Sequence, residues 1–188
     1  QRELAVDPRN PNVIHLIGNR FWGGYLFRSD DGGATWKTTR AFARDLVGSP
    51  TEPDGHANGK KDLSSTTNLA RSPADPDTLF VSANWNNAVS TDGGRTWRES
   101  SRGADITCFH DLRFAGGRVF ATAMDEGLFT SADNGATWKQ LAPRKYTEGE
   151  SGHNWRVAAF QKDDGEFHVV ATVSPWRGAK EYPNHVIV

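Results

Sequence analysis

The 188 residues are enough for one domain to bury a core. Twenty-two lysines and arginines nearly balance 23 aspartates and glutamates, so no long-range field exists to gather nucleic acid or an anionic membrane, and no stretch approaches the ~18 apolar residues of a membrane span. The single cysteine, Cys108, excludes an internal disulfide framework and a cysteine-built zinc site, while 19 glycines, 7 tryptophans and 10 phenylalanines against one methionine favour turn-rich β structure over helices.

In chain order, the opening QRELAVDPRN lacks the charged-then-apolar pattern of a signal peptide, and the start at Gln1 predicts a processed or trimmed terminus. A first strand is predicted over Glu3 to Val6, a turn at Asp7-Pro8-Arg9-Asn10-Pro11, a second strand over Val13 to Ile17 and a third over Tyr25 to Arg28. The third strand leads into Ser29-Asp30-Asp31-Gly32-Gly33-Ala34-Thr35-Trp36. Residues 43–65, rich in Gly, Pro, Asp and Lys and without alternation, read as an inserted surface loop. The pattern then restarts with strands over Thr66 to Arg71, Thr78 to Ser82 and Ala88 to Thr91, a Pro73-Ala74-Asp75-Pro76-Asp77 turn, and a second octad, Ser90 to Trp97. A third round runs through Ile106 to Phe114, Arg118 to Ala123 and Gly127 to Ser131 into the octad Ser131 to Trp138. A fourth, over Trp155 to Phe160, Phe167 to Val173 and His185 to Val188, stops where another octad is expected.

Five positions of the octad S-x-D-x-G-x-T-W are identical in all three copies. Glycine allows a positive φ in a tight hairpin, while aspartate and serine bond nearby amides and hold the loop shut. The tryptophan, opening the next strand, is expected to bury its indole beneath the turn with its N–H partnered. These aspartates are therefore read as structural. The spacing between box tryptophans, 61 residues from Trp36 to Trp97 and 41 from Trp97 to Trp138, places about 20 extra residues in the first interval. The octad resembles the Asp-box, or BNR, repeat of sialidases, xyloglucanase-type glycoside hydrolases, sortilin-type receptors and photosystem assembly factors. That resemblance implies an all-β chain of β-propeller blades, each of four antiparallel strands with the Asp-box turn between the third and fourth. The blades are expected at 1–42, 64–101, 104–143 and 152–188, as part of a larger propeller or one completed by another segment, with compact four-bladed closure the weaker alternative.

In a propeller the loops between second and third strands, and the entries to the first, here Thr67-Asn68, His110-Asp111 and His153-Asn154-Trp155-Arg156, lie at the end opposite the boxes. Three of those second-to-third loops carry tryptophan: Trp22 beside Arg20, Trp85 beside Asn84, and Trp176 beside Arg177. Flat indoles with amide, arginine and carboxylate groups suit sugars, whose apolar C–H faces are ringed by hydroxyls. Arg20, Trp22, Asn84, Trp85, His110, Trp176 and Arg177 are accordingly the predicted substrate-binding residues. Glycoside hydrolysis needs two flanking carboxylates, for which Asp111, Asp125 and Glu181 are the candidates, with Glu126 beside Asp125. His110-Asp111 also invites a reading as a general base, but adjacent strand residues point to opposite faces. Neither the Phe-Arg-Ile-Pro segment of sialidases nor a continuous calcium loop is present, and no phosphate-cradling glycine loop, GxSxG elbow or basic aromatic stripe is found. The expectation is a secreted or periplasmic, carbohydrate-binding or carbohydrate-active propeller, a glycoside hydrolase if catalytic, acting on a polysaccharide or glycan without metal or cofactor. A non-catalytic scaffold that binds a protein partner, or the remainder of the propeller, is the alternative.

Overall fold

Short strands with one residue in two turned inward, separated by glycine and aspartate turns, pair with their sequence neighbours because a tight hairpin closes at little entropic cost. The computed structural model describes residues 3–20, 23–38, 66–83, 86–104, 108–143, 153–174 and 185–187. The first sheet runs β1 (Glu3–Asp7), β2 (Asn10–Arg20), β3 (Gly23–Ser29), β4 (Lys37–Thr38). The second runs β5 (Thr66–Arg71), β6 (Leu79–Ala83), β7 (Asn86–Ser90), β8 (Arg98–Glu99). The third contains β9 (Phe109–Ala115), β10 (Arg118–Ala123), β11 (Gly127–Ser131) and β12 (Lys139–Pro143), again in sequence order. The fourth has three strands among the described residues, β13 (His153–Gln161), β14 (Phe167–Ser174) and β15 (His185–Ile187). All pairings are antiparallel and the described residues contain no helix. The predicted loop 43–65 lies outside the described residues.

Two compact units divide the chain, Gln1–Ser101 with the first two sheets and Arg102–Val188 with the others. In the first, Ile17, Leu26, Leu69, Leu79, Val81, Ala88 and Trp97 form one buried cluster, with Ala5 packed against it. Phe120, Leu128, Val157 and Ala171 do the same in the second, extended by Ala159, Phe167 and Val169. Each cluster draws from two successive sheets, so apolar burial between sheets is the main stabilising term within a unit.

The three Asp boxes close as the motif requires. Ser29 Oγ donates to Asp31 Oδ1 at 2.8 Å and accepts the Gly33 N–H at 2.8 Å, while Asp31 accepts the Thr35 N–H at 2.8 Å and the Thr35 hydroxyl at 2.5 Å. Ser90, Asp92, Gly94 and Thr96 repeat this network, as do Ser131, Asp133, Gly135 and Thr137. The bonds from Thr35 and Ser29 hold the Asp31 carboxyl down at about 2. At Asp92 and Asp133 burial opposes the charge, yet the Thr and Ser donors still lower the carboxyl below its usual range. The tryptophans meet the expectation in part: Trp97 and Trp138 are buried, whereas Trp36 is 39% exposed, its indole donating to Gly33 O of its own turn at 2.9 Å. Trp97 Nε1 is buried with no hydrogen-bond partner among the described residues, so its indole serves chiefly as apolar bulk.

At the box end of the first unit, ion pairs tie the two sheets together. Arg9 bridges Asp7 at 3.2 Å and Asp77 at 2.5 Å, and Arg71 lies 3.5 Å from Asp7. Arg28 pairs with Asp30 at 2.7 Å and donates to Gly93 O of the neighbouring box at 2.5 Å. His15 is fully buried among them, its Nδ1 3.3 Å from Arg71 Nη2. Burial, reinforced by the Arg28 and Arg71 charges, lowers its imidazole to about 4, so it is neutral at neutral pH. The ring lies on Gly94, where a Cβ would meet His15 Nε2 at 2.2 Å and the backbone φ is +83°. Gly117 has a similar φ of +72° but open space around it. Gly94→Ala is therefore expected to cost at least about 2 kcal/mol more than Gly117→Ala, which bears only the backbone penalty of about 1 kcal/mol. Urea unfolding of the two variants measures the difference, and equal midpoints would show that the His15 contact does not matter.

Candidate functional site

Three innermost strands begin with the same irregularity. In β5, β9 and β13 one residue is left over as the register with the second strand shifts: Thr67, His110 and Trp155. An extra residue turns its side chain away from the alternating pleat, which is why bulges recur beside functional sites. Trp155 is fixed there by its indole N–H, which donates to Ser174 O at 3.0 Å. The His110 ring meets it edge-on, centroids 4.8 Å apart at 77°, and the His153 ring lies 6.0 Å away.

His153 links this aromatic group to the turn between β10 and β11. Its Nδ1 lies 3.0 Å from Asp125 Oδ1 and 3.2 Å from Met124 O. Both partners are acceptors, so Nδ1 carries the hydrogen. The Asn154 N–H also donates to Met124 O, at 3.3 Å. Asp125 is half-buried and Arg156 is exposed, its guanidinium 3.9 Å from Asp111 Oδ1. Burial first, and then the Arg156 charge, lowers the His110 imidazole to about 4.

Asp111 does different work. It is 1% exposed; Oδ2 accepts the Val157 N–H of β13 at 3.1 Å, Oδ1 accepts the Leu112 N–H at 3.1 Å, and Arg113 pairs with Oδ1 at 2.7 Å. The carboxylate thus braces β9 to β13, while its neighbour His110 faces Trp155. Glu3 makes the same brace in the first unit, accepting the Leu69 N–H and, at 3.2 Å, the Asn68 side-chain amide.

Of the residues predicted from sequence, the structure brings His110 and Asp125 to the Trp155 group and places Asp111 behind it. Arg20 ends β2, its backbone paired with Gly23. The Arg20 side chain, and Trp22, Asn84, Trp85, Trp176, Arg177 and Glu181 altogether, lie outside the described residues. Trp155, His153 and Arg156 belong to the strand entries that the sequence places on that face, but not to the seven residues singled out from it for substrate binding. The signal for them is positional, since Trp155 holds in β13 the place that His110 holds in β9.

Similar proteins share this architecture. The solved GH74 xyloglucanase from Xanthomonas campestris matches with a TM-score of 0.64 and 19% identity, over 97% of this chain and 27% of that one. YCF48 from Cyanidioschyzon merolae matches with a TM-score of 0.58 and 19% identity, over 93% of this chain and 50% of that one. These likenesses, with the four-stranded sheets, define the chain as blades of a β-propeller. More particularly, they are Asp-box blades: the BNR/Asp-box repeat family matches residues 27–38 and 88–99. The xyloglucanase Xgh74A of Acetivibrio thermocellus is 53% identical over 36 residues, which cover 18% of this chain and 4% of that enzyme.

His15 and His110 each bind a proton more weakly folded, at about 4, than at their ordinary 6.5. The unfolded chain therefore takes up protons first as pH falls, so stability is full above pH 6.5 and declines toward pH 4. Urea midpoints between pH 7 and 4.5 should follow this slope, with His15→Gln and His110→Gln each flattening it; an unchanged slope in both would remove these histidines as its source.

Proposed function

We propose that this chain is part of a secreted or periplasmic carbohydrate-active propeller that binds a polysaccharide across the end of the sheets where Trp155 lies. The observation that carries this reading is the oriented indole: a large flat apolar side chain raised on a bulge, its N–H already satisfied by Ser174 O, with His110 and His153 against it. An indole held in this way needs no ordering on contact with a pyranose face, which lowers the entropic cost of binding. The segment of high identity to a xyloglucanase supports a β-glucan as the ligand.

Hydrolysis, on this proposal, runs through Asp125 and Glu181. Asp125 has a partly exposed carboxylate held by His153, whereas both Asp111 oxygens are engaged in joining β9 to β13. The engagement of Asp111 also favours the second reading, a propeller that binds a protein partner and carries out no reaction. Calorimetry of the intact protein with xyloglucan and mixed-linkage glucan, alongside reducing-sugar release, separates the two. Trp155→Ala is expected to weaken glucan binding by about tenfold or more, near 1.4 kcal/mol. Asp125→Asn is expected to retain binding and lose sugar release. Failure to bind any glucan would end the carbohydrate reading; binding without release would leave the site and withdraw the reaction.

A further inference from the structure

The three Asp boxes differ at their tightest point. The first two place Gly32 and Gly93 in the left-handed region, at φ 70° and 73°, whereas the third places Asn134 there at φ 53°, the one non-glycine residue with a positive φ among the described residues. Asparagine enters that region at small cost, so the turn still closes. Ser131 Oγ donates to Asp133 Oδ1 at 2.8 Å and accepts the Gly135 N–H at 2.8 Å, and Asp133 accepts the Thr137 N–H at 2.9 Å. Replacing glycine by asparagine at this position sets an Asn-Gly pair inside the box.

Asn-Gly is the dipeptide in which the chain attacks its own side chain with least hindrance, since glycine puts no Cβ beside the attacking nitrogen. The Gly135 nitrogen gives its proton to solvent and bonds to Asn134 Cγ. The Cγ–Nδ2 bond breaks, and the side-chain nitrogen takes up a proton and leaves as ammonia. One water then opens the cyclic imide. Addition at Cγ yields aspartate; addition at the main-chain carbonyl carbon yields isoaspartate, whose backbone runs through Cγ and is longer by one methylene. The first step needs the Gly135 N–H, and in the closed box Ser131 Oγ holds that N–H on a buried residue.

We propose that Asn134-Gly135 is a self-modification site whose deamidation the third Asp box holds in check, so that the reaction proceeds only as this turn opens. Isoaspartate at this position cannot restore the bond from Gly135 to Ser131, and the modified box stays open. Trp138, the last residue of the box, is buried edge-on against Phe109, ring centroids 4.6 Å apart. Phe109 begins β9 beside His110 and Asp111, so modification of the box loosens the strand that carries them. No ligand enters the reaction, and its outcome is independent of glycan binding.

Peptide mapping of the intact protein, incubated at mildly alkaline pH, reads the conversion of Asn134 to aspartate and isoaspartate. In urea Asn134 is expected to convert at about the rate of Asn58, in the chain's other Asn-Gly pair, and in the native protein about 30-fold more slowly than in urea. Ser131→Ala, which removes the acceptor of the Gly135 N–H, is expected to raise the native rate about tenfold. Ser90→Ala makes the same change in the second box and is expected to leave Asn134 at its native rate. Native conversion at the urea rate, or no acceleration by Ser131→Ala, would overturn the proposal. Equal acceleration by both variants would also overturn it, because the reaction would then run through unfolding of the whole chain. Should Ser131→Ala not fold, the unmodified protein still decides: the Gly135 amide must be protected from hydrogen exchange by about the factor that slows Asn134, and a large mismatch between the two rejects the box as the gate.

Discussion

A carboxylate set between two sheets, accepting a backbone N–H from the next, is the interaction on which this arrangement depends. Within a sheet, hairpin bonds suffice. Between sheets there is no ladder, and apolar packing alone tolerates sliding because it is non-directional, so direction comes from polar contacts across the junction, such as those of Arg9 and Arg28 at the box end. Glu3 and Asp111 supply it at the innermost strands. Each takes a main-chain N–H from the edge of an innermost strand, a donor that would otherwise be buried without a partner at a cost of about 1–3 kcal/mol. The bond therefore fixes one strand's register against another while removing that cost. At Asp111 this bears on the candidate site: anchoring Val157 sets the height of β13 against β9, and with it the approach of Trp155 to His110.

The two ends of the sheets are specialised for physical reasons. At the box end the serine, aspartate and threonine of each motif close their own turn, the aspartate accepting from the serine hydroxyl and from the threonine N–H and hydroxyl. Between the first two sheets the charges of Arg9, Arg28, Arg71, Asp7, Asp30 and Asp77 are matched across the junction, and His15 is buried neutral among them. Such a region can hold sheets but offers little to a ligand. The bulged end is built otherwise, with aromatic and ionisable side chains turned off the pleat.

Much of this was legible in the sequence. The octads predicted the turns, and strand limits over Thr66–Arg71, Arg118–Ala123 and Gly127–Ser131 agree with the structure residue for residue. Strict alternation between glycine turns leaves few other solutions. What could not be read was the bulge, because an extra residue in a strand looks locally like any other and reveals itself only as a shift against its partner. His110 and Asp111 were legible as a pair of ionisable neighbours, but their division of labour rests on which side of the strand each takes. The difference among the box tryptophans was equally hidden: octads that share their five motif positions place Trp97 in a core and leave Trp36 partly exposed, since burial depends on what packs over the turn.

The same dependence separates what a repeat dictates from what it permits. Each octad needs only its own residues, so it can be copied along the chain without reference to the neighbouring sheet. The brace needs two sheets in succession, an acid on one and an edge N–H on the other, and so it carries information about order. The register position of Glu3 and Asp111 in the first and third sheets is held by Asn68 in the second and by Arg156 in the fourth, where the guanidinium lies 3.9 Å from Asp111 Oδ1. The Arg156 charge also acts on His110, helping to lower its imidazole. The repeat thus dictates the turns, while the residue at this one position decides whether a strand braces the next sheet, as Glu3 and Asp111 do, or sets a charged group near His110, as Arg156 does.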